Sequence, residues 1–212
     1  MESDPSQSSG PALILLIRHA TTPMVDKGLS GRLPGIHLSD QGRAQAAGIA
    51  RSLERFPISK IFSSPLERAL ESAGPLAGQK NLPVQIREGL GEIDLGRWQG
   101  ETFDELAGDD NWVRFNRYRS GTGAPGGELM LETQARVMQT LYHLAAAHPG
   151  QAIAAFSHAD PIKSAVMHVL GIPLDFHDRL EILPASLTAL ELSLDNSQVR
   201  YVNVSLADPW HI

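Results

Sequence analysis

Residues 12–23 read ALILLIRHATTP, a short apolar run that ends in an arginine and a histidine. A wholly apolar run of this length is typical of a strand that is covered on both faces, as in parallel sheets. Arg18 and His19 follow at the carboxyl end of that strand, where open α/β sheets bind their ligands. An arginine this close to a core needs an anion or a carboxylate partner, so the pair predicts a functional site.

The composition excludes several classes of protein. The chain has 212 residues, a length that suits one domain, and 42% of them are apolar, enough to build a core. It contains no cysteine, which excludes disulfides, cysteine nucleophiles and thiolate metal sites. Its net charge of −6 argues against nucleic-acid binding through a basic face.

The first residues differ in character from the rest of the chain. Residues 1–11 read MESDPSQSSGP, which predicts a flexible polar tail and lacks the apolar segment of a signal peptide. We expect residues 12–212 to form a single domain, with a helical cap-like insertion over the site within residues 100–150. No apolar run approaches the roughly 20 residues that span a bilayer, so we expect a cytoplasmic protein that makes no membrane contact.

Apolar runs alternate with amphipathic segments along the chain. The runs predict strands over residues 12–17, 60–63, 83–86, 151–156, 187–192 and 199–204. The amphipathic segments predict helices from residue 39, from residue 64, over 128–148 and over 160–170, with short helices within 101–119. This alternation predicts an α/β fold with a mostly parallel central sheet and helices on both faces.

Two more predicted strands end in polar residues. The segment SPLE at 64–67 combines a capping-box pattern with proline at the first helical position, so a helix is predicted to begin at Ser64, with Arg68 about one turn in. His158 follows the strand over 151–156, and Asp160 is predicted to cap the next helix. Because these strand ends meet at one edge of the sheet, two arginines and two histidines are expected to converge there.

Each candidate also has a purely structural explanation. His19 and His158, taken singly, are equally explained as hydrogen-bonded histidines at strand ends. Arg68 could be a solvated helix residue. In the segment GEIDLGRW at 91–98, Glu92 and Asp94 compete on equal terms for the role of a catalytic carboxylate.

Other patterns indicate less. Arg32 could line a pocket or be exposed, and its context slightly favours exposure. The segment GTGAPG at 121–126 fits a dinucleotide fingerprint, but no apolar strand precedes it, so it predicts a loop. The remaining histidines show no metal-binding spacing and there is no HExxH, so neither a metal nor a cofactor is expected.

Two arginines, two histidines and a carboxylate together suit phosphoryl transfer. Arginine binds phosphate through paired N–H groups and keeps its charge. A neutral imidazole can attack phosphorus to form a phosphoramidate that water later opens, and a second imidazole can donate to the phosphate oxygens. The leaving alkoxide needs a proton from a carboxylic acid, whose pKa a bound phosphate dianion raises.

Four segments resemble the signature segments of the histidine phosphatase superfamily, the phosphoglycerate mutase-like group. They read RHAT (18–21), SSPLERA (63–69), LGEIDLG (90–96) and SHAD (157–160), in the order that the family has them. The resemblance covers most of the chain, from residue 12 to about 170. It implies a phosphoglycerate mutase-like three-layer α/β sandwich.

The resemblance also implies roles for individual residues. His19 would be the nucleophile that becomes phosphohistidine, and Glu92 would be the general acid and then the base, which decides against Asp94. Arg18, Arg68 and His158 would form the phosphate pocket. Further phosphate or substrate contacts are expected from a second group of residues: Thr22, Ser64, Arg32 and Ala159.

The chain departs from the family pattern at three places. Ala20 stands where glycine is usual, and Val25 stands where the family commonly has an asparagine. Ala159 and Asp160 replace a glycine pair after His158. If Asp160 faces the pocket, its charge would oppose a phosphate ligand.

The sequence favours a metal-independent phosphomonoester hydrolase that acts on a small-molecule phosphate ester. Mutases of the family carry a long insertion with a lysine over the pocket. In this chain the corresponding segment, residues 100–127, is short and contains no lysine. Phosphoglycerate mutase-type phosphoryl transfer is therefore the alternative, and a non-catalytic phospholigand-binding module is a further one. A homodimer is left open.

Overall fold

The first strand of the chain lies near the middle of the sheet. The computed structural model describes residues 10–206, so most of the predicted N-terminal tail and residues 207–212 lie outside the described residues. Six strands form one sheet in the order β3-β2-β4-β1-β5-β6. Their bounds are β1 Ala12–Arg18, β2 Ile58–Ser63, β3 Val84–Ile86, β4 Ala152–Ser157, β5 Ser186–Leu192 and β6 Ser197–Ser205.

The predicted α/β fold with a mostly parallel sheet is confirmed. Strand β1 pairs in parallel with β4, and β4 and β3 both pair in parallel with β2. Strands β5 and β6 are antiparallel additions on the other side of β1. Because Arg18 is in register with Ser157, the residues that follow β1 and β4 meet at one edge of the sheet.

Helices cover both faces of the sheet. The helices are α1 Asp40–Ser52, α2 Glu67–Lys80, α3 Phe103–Leu106, α4 Asp110–Arg117, α5 Met130–Ala147 and α6 Ala159–Leu170. Successive side chains of β1 point to opposite faces. Leu15 and Ile17 pack in the cluster that contains residues of α1 and α2, whereas Ile14 and Leu16 pack with residues of α5 and α6. The apolar run at 12–17 is therefore buried on both sides.

A third apolar cluster holds the short helices against the end of the domain. Trp98 and Phe115 lie with ring centroids 5.3 Å apart and pack with Met130 of α5 and Met167 of α6. The segment at 121–126 forms a loop between α4 and α5, as predicted. Within residues 10–206, no helix has the length and apolar character that crossing a membrane requires.

The predicted start of the second helix is wrong by three residues. Helix α2 begins at Glu67, its N-cap is Leu66, and no side chain caps it. The Ser64 hydroxyl instead pairs with His158, at 2.7 Å from Nε2 to Oγ. The same hydroxyl accepts a longer hydrogen bond from the N–H of Leu66 at 3.3 Å, so Ser64 lies two residues before the N-cap and bonds mainly to a distant histidine.

Candidate active site

A small cavity lies beyond the carboxyl ends of the central strands. Its volume is about 200 Å³. Its charged and titratable lining residues are Arg18, His19, Asp26, Arg68, Glu92 and Asp160. A larger groove of about 500 Å³ lies beside β5, β6 and α1, but it is mostly apolar and holds no histidine, so the chemistry points to the smaller cavity.

The ring of His19 has one fixed nitrogen and one free one. Its Nδ1 lies 2.8 Å from the carbonyl oxygen of Ala20. A carbonyl can only accept, so Nδ1 carries the proton and Nε2 keeps its lone pair. Burial, together with the charges of Arg68 and Arg18, lowers the pKa of His19 well below its ordinary value. The ring is therefore neutral near pH 7, with Nε2 available as a nucleophile.

The two arginines of the cavity are only partly satisfied. Arg68 is almost fully buried and donates from Nη2 to the carbonyl of Gly31 at 2.7 Å. Gly31 has a φ of +48°, a conformation that glycine adopts without strain. Arg18 donates from Nη1 to the carbonyl of Ile182 at 2.6 Å. The Nε of each arginine and Nη1 of Arg68 have no hydrogen-bond partner among residues 10–206.

His158 lies against His19, outside the set of residues that line the cavity. The two ring centroids are 5.1 Å apart. Burial and the charge of Arg68 lower the pKa of His158 well below its ordinary value. Its Nε2 pairs with Ser64, while its Nδ1 has no partner in the described part of the chain. Ser64 likewise lies behind the cavity and not in its lining.

Thr22 and Ala159, which were predicted to contact substrate, both line the cavity. Thr22 is buried, and its hydroxyl has no hydrogen-bond partner within the described ranges. A buried hydroxyl without a hydrogen-bond partner destabilises the folded protein, so this group is available to bind a ligand atom. Ala159 opens helix α6 and presents no polar side chain.

Glu92 lines the cavity and Asp94 does not. Burial, with a contribution from the charge of Asp160, raises the pKa of Glu92 to about 7 against the opposing charge of Arg68. Its Oε1 accepts a hydrogen bond from the N–H of Ile93 at 2.9 Å. A carboxyl with such a pKa can both donate and accept a proton near neutral pH.

Arg32 lies outside the cavity lining and holds the backbone beside it. Its Nε donates to the carbonyl of Glu92 at 2.8 Å, and its Nη2 pairs with Glu128 at 2.8 Å. Arg136 donates to that same carbonyl of Glu92 at 2.8 Å and to both carboxylate oxygens of Glu128 at 3.0 Å. The two arginines and Glu128 thus fix the segment that carries Glu92.

The prediction that Asp160 caps helix α6 is wrong. The N-cap is His158, and Asp160 lies inside the first turn with its carboxylate lining the cavity. Its Oδ2 lies 3.3 Å from Nη1 of Arg119 and its Oδ1 lies 3.2 Å from Nε2 of His177. These two partners draw the side chain away from the helix end.

Two departures from the family pattern have structural explanations. Ala20 is fully buried, packs in the cluster beside α1 and α2, and does not adopt a positive φ, so no glycine is needed. Its N–H donates to the hydroxyl of Ser72 at 2.9 Å. Val25 lines the cavity and places an apolar surface where the family commonly has an amide.

No sequence pattern marks the residues that support the site from outside the cavity. Arg119 and His177 are 41 and 17 positions from Asp160 and follow no motif. Glu128 and Arg136 belong to the predicted long helix or its start, and only their charged character in a half-buried stretch could have marked them. Within residues 10–206, no group of three or more His, Asp or Glu side chains could hold a metal ion.

Comparison with known proteins identifies relatives along most of the chain. The bifunctional protein Rv2228c of Mycobacterium tuberculosis is 33% identical over 91% of this chain, which spans about half (54%) of that relative. Phosphoserine phosphatase 1 of Hydrogenobacter thermophilus is 29% identical over 76% of this chain and 77% of its own length. The 2,3-bisphosphoglycerate-dependent phosphoglycerate mutase of Thermoplasma acidophilum is 27% identical over 91% of this chain and 98% of its own length.

Solved structures share the fold. YhfR of Bacillus stearothermophilus superposes with a TM-score of 0.86 at 25% identity, over 93% of this chain and all of that one. A mycobacterial glucosyl-3-phosphoglycerate phosphatase superposes with a TM-score of 0.81 at 25% identity, over 91% and 99%. The model of the histidine phosphatase superfamily (branch 1) matches residues 14–205. The chain therefore belongs to the histidine phosphatase superfamily.

Proposed function

We propose that this protein hydrolyses small-molecule phosphate monoesters through a phosphohistidine on His19, without a metal ion. One observation carries the proposal: buried polar atoms of Arg18, Arg68, Thr22 and His158 have no partner among the described residues. They surround or adjoin a neutral histidine with a free nitrogen. Unpaired buried donors are costly in the free protein, and a phosphate would satisfy them.

In the first step, Nε2 of His19 attacks phosphorus and the bond from phosphorus to the leaving oxygen breaks. The arginines bind the phosphate oxygens, and His158, with Nε2 paired to Ser64, can donate from Nδ1 as negative charge develops. Glu92, which its pKa of about 7 keeps partly protonated at neutral pH, gives its proton to the leaving alkoxide. The alcohol departs and a phosphoramidate remains on His19.

In the second step, water attacks the phosphohistidine and the nitrogen–phosphorus bond breaks. Glu92, now a carboxylate, takes a proton from that water, which restores the carboxylic acid. Inorganic phosphate leaves, and His19 returns to its neutral form. One carboxyl thus serves both steps, and its pKa of about 7 suits both protonation states.

Hydrolysis is favoured over phosphoryl transfer between substrate positions. Relatives include phosphatases that act on phosphoserine and on glucosyl-3-phosphoglycerate, which supports a phosphatase. The mutase of Thermoplasma acidophilum supports the alternative. A mutase must keep water out between its two transfers, and residues 100–127 of this chain hold no lysine for a loop of the mutase kind.

The test is the dependence of the rate on the leaving group in Glu92→Gln. We expect this variant to lower kcat/KM for alkyl phosphates by a factor of about 100 or more, because their alkoxides need a proton in the first step, and to lower kcat/KM for p-nitrophenyl phosphate much less. Glu88→Gln is the matched control, since Glu88 is exposed on the same segment. Equal slowing of both substrate types would remove Glu92 as the acid.

A separate assay distinguishes the mutase alternative. Incubation with 3-phosphoglycerate, followed by phosphorus NMR, is expected to show no 2-phosphoglycerate, whereas p-nitrophenyl phosphate releases phosphate under the same conditions. Interconversion of the two phosphoglycerates without release of phosphate would favour the mutase. Loss of activity in EDTA would contradict a metal-independent reaction.

A further inference from the structure

The carboxylate of Asp160 is held at the cavity by partners that lie outside the cavity lining. Arg119 and His177 contact its two oxygens at 3.3 and 3.2 Å. Arg119 is itself fixed, because its guanidinium lies 4.1 Å from the ring centroid of Phe115 and donates to Asn116 at 2.9 Å. The cavity is lined by the carboxylate and not by either partner. A ligand therefore meets the negative group of this cluster.

This carboxylate is ionised throughout the working range of pH. Burial alone would raise the pKa of Asp160, but His177 and Arg119 hold it well below its ordinary value. Asp26 is a second, exposed carboxylate in the lining. Of the described residues that line the cavity, Arg18 and Arg68 alone are cationic, and both are assigned to the phosphate.

The rest of the lining faces the leaving group of the substrate. Besides the two carboxylates and Ser30, it is mostly apolar surface, which comes mainly from Met24, Val25, Leu29, Leu95 and Phe103. A volume of about 200 Å³ is below the usual range of ligand sites and favours a small leaving group. Arg119 compensates Asp160 from outside the lining, and the lining itself presents the carboxylates with no cation besides the two arginines assigned to the phosphate, so it repels an anionic leaving group and attracts a cationic one.

We propose that Asp160, together with Asp26, selects phosphate monoesters of small amino alcohols, whose ammonium group pairs with these carboxylates, and rejects substrates whose leaving group carries a carboxylate. For turnover this inference rests on the proposed phosphatase function, but for binding it stands on the cavity alone. It also assigns a role to Asp160, which stands where the family pattern has glycine.

The test compares three phosphates that differ only at the second carbon: phosphoethanolamine, 2-hydroxyethyl phosphate and phosphoglycolate. Binding is measured by calorimetry to His19→Ala, which cannot form the phosphohistidine. We expect phosphoethanolamine to bind at least about tenfold more tightly than phosphoglycolate, with the hydroxyl compound between them. Equal binding of the three compounds, or tighter binding of phosphoglycolate, would overturn the proposal.

Substitution of the carboxylates assigns the effect. In the His19→Ala background, Asp160→Asn is expected to lower the ratio of the two affinities severalfold, whereas Asp195→Asn, an exposed change of the same charge, leaves it unchanged. Asp26→Asn removes an exposed loop carboxylate and is expected to lower the ratio even if Asp160→Asn fails to fold. An unchanged ratio in the variants that fold would overturn the role of these residues.

Turnover by the unaltered protein separates this inference from the proposed function. If the amine binds best but neither it nor p-nitrophenyl phosphate is hydrolysed, the selectivity stands and the phosphatase function fails. If phosphoglycolate is hydrolysed with a higher kcat/KM than phosphoethanolamine, the phosphatase function stands and the selectivity is overturned.

Discussion

Arg136 donates from Nη2 to the backbone carbonyl of Glu92 at 2.8 Å, across 44 positions of sequence. The same guanidinium donates to the carbonyls of Gly89 and Gly91 at 3.0 and 2.8 Å. It also donates to the carboxylate of Glu128 at 3.0 Å. A side chain outside the cavity thereby fixes the backbone of the segment that presents the cavity's raised-pKa carboxyl. Arg136 is a positioning residue for the proposed acid.

We expect Arg136→Lys to lower kcat/KM for alkyl phosphates about tenfold while kcat/KM for p-nitrophenyl phosphate changes little. A lysine keeps the charge but cannot reach several carbonyls and a carboxylate at once. A purely structural role would slow both substrates alike, which would contradict the assignment. Arg117→Lys, an exposed change on helix α4, is the matched control.

Arg68 is a buried cation without a carboxylate partner in the part of the chain that the structure describes. We expect Arg68→Met to raise the free energy of unfolding by about 1–3 kcal/mol, because an apolar side chain of similar size removes the cost of a buried charge. The same variant is expected to lower kcat/KM by a factor of 100 or more. Urea unfolding and steady-state kinetics measure the two effects.

Inorganic phosphate provides the control for Arg68. It should raise the midpoint of thermal unfolding of the unaltered protein by binding the folded state, and do so much less for Arg68→Met. If Arg68→Met is destabilised and still binds phosphate, the arginine is structural and the assignment is wrong.

The charge of Asp160 raises the pKa of Glu92, which predicts a shift in pH dependence when that charge is removed. Asp160 acts to raise the pKa of Glu92, because a negative neighbour disfavours ionisation of a carboxyl, whereas Arg68 and Arg18 act to lower it. Asp160→Asn removes that neighbour, so the pKa of Glu92 falls from about 7. The protonated acid then disappears at lower pH, and the basic limb of kcat/KM for an alkyl phosphate moves to lower pH.

The pH profile of p-nitrophenyl phosphate serves as the internal reference. Its leaving group needs little protonation, so this limb should depend less on Glu92. A basic limb that moves to higher pH in Asp160→Asn, or that stays in place for the alkyl phosphate, would show that Asp160 does not raise the pKa of Glu92.

Glu128 predicts how stability changes in acid. Burial opposes ionisation of this carboxyl, but hydrogen bonds from Arg136 and from the N–H of Asp94 outweigh it and lower the pKa to about 2. Its contribution to the free energy of unfolding is therefore fully present above the unfolded pKa of about 4.5 and is lost as the pH falls through about 2. From this shift we estimate about 3 kcal/mol at pH 7.

We expect Glu128→Gln to lose about that free energy of unfolding at pH 7 and little at pH 2. Urea unfolding across this pH range measures the difference. A loss that is independent of pH would mean that Glu128 acts through packing alone. Glu132→Gln is an exposed comparison in the first turn of α5.

The sequence predicted the fold because each strand of the core is a compact apolar run. The run at 12–17 is buried on both faces, and its end must meet the end of the strand at 152–157 in a parallel pair. His19, Arg68 and His158 follow from that rule. Glu92 could be chosen over Asp94 only through the family resemblance, since the two are equivalent in spacing.

What the sequence could not predict are contacts between distant elements. The hydroxyl of Ser64 pairs with His158 across 94 positions, which moved the helix start to Glu67. The carboxylate of Asp160 pairs with Arg119 across 41 positions, which removed it from the helix cap. In both cases a local capping pattern competed with a tertiary partner that no local pattern reveals.

The central claim is that His19 carries the phosphoryl group during turnover. A rapid acid-free quench of the protein with a ³²P-labelled monoester, followed by peptide mapping, tests it most directly. We expect acid-labile label on the peptide that contains His19, more of it in Glu92→Gln because the second step is slowed, and none in His19→Ala. Release of labelled phosphate at the normal rate with no label on His19, or full activity in His19→Ala, would contradict the account.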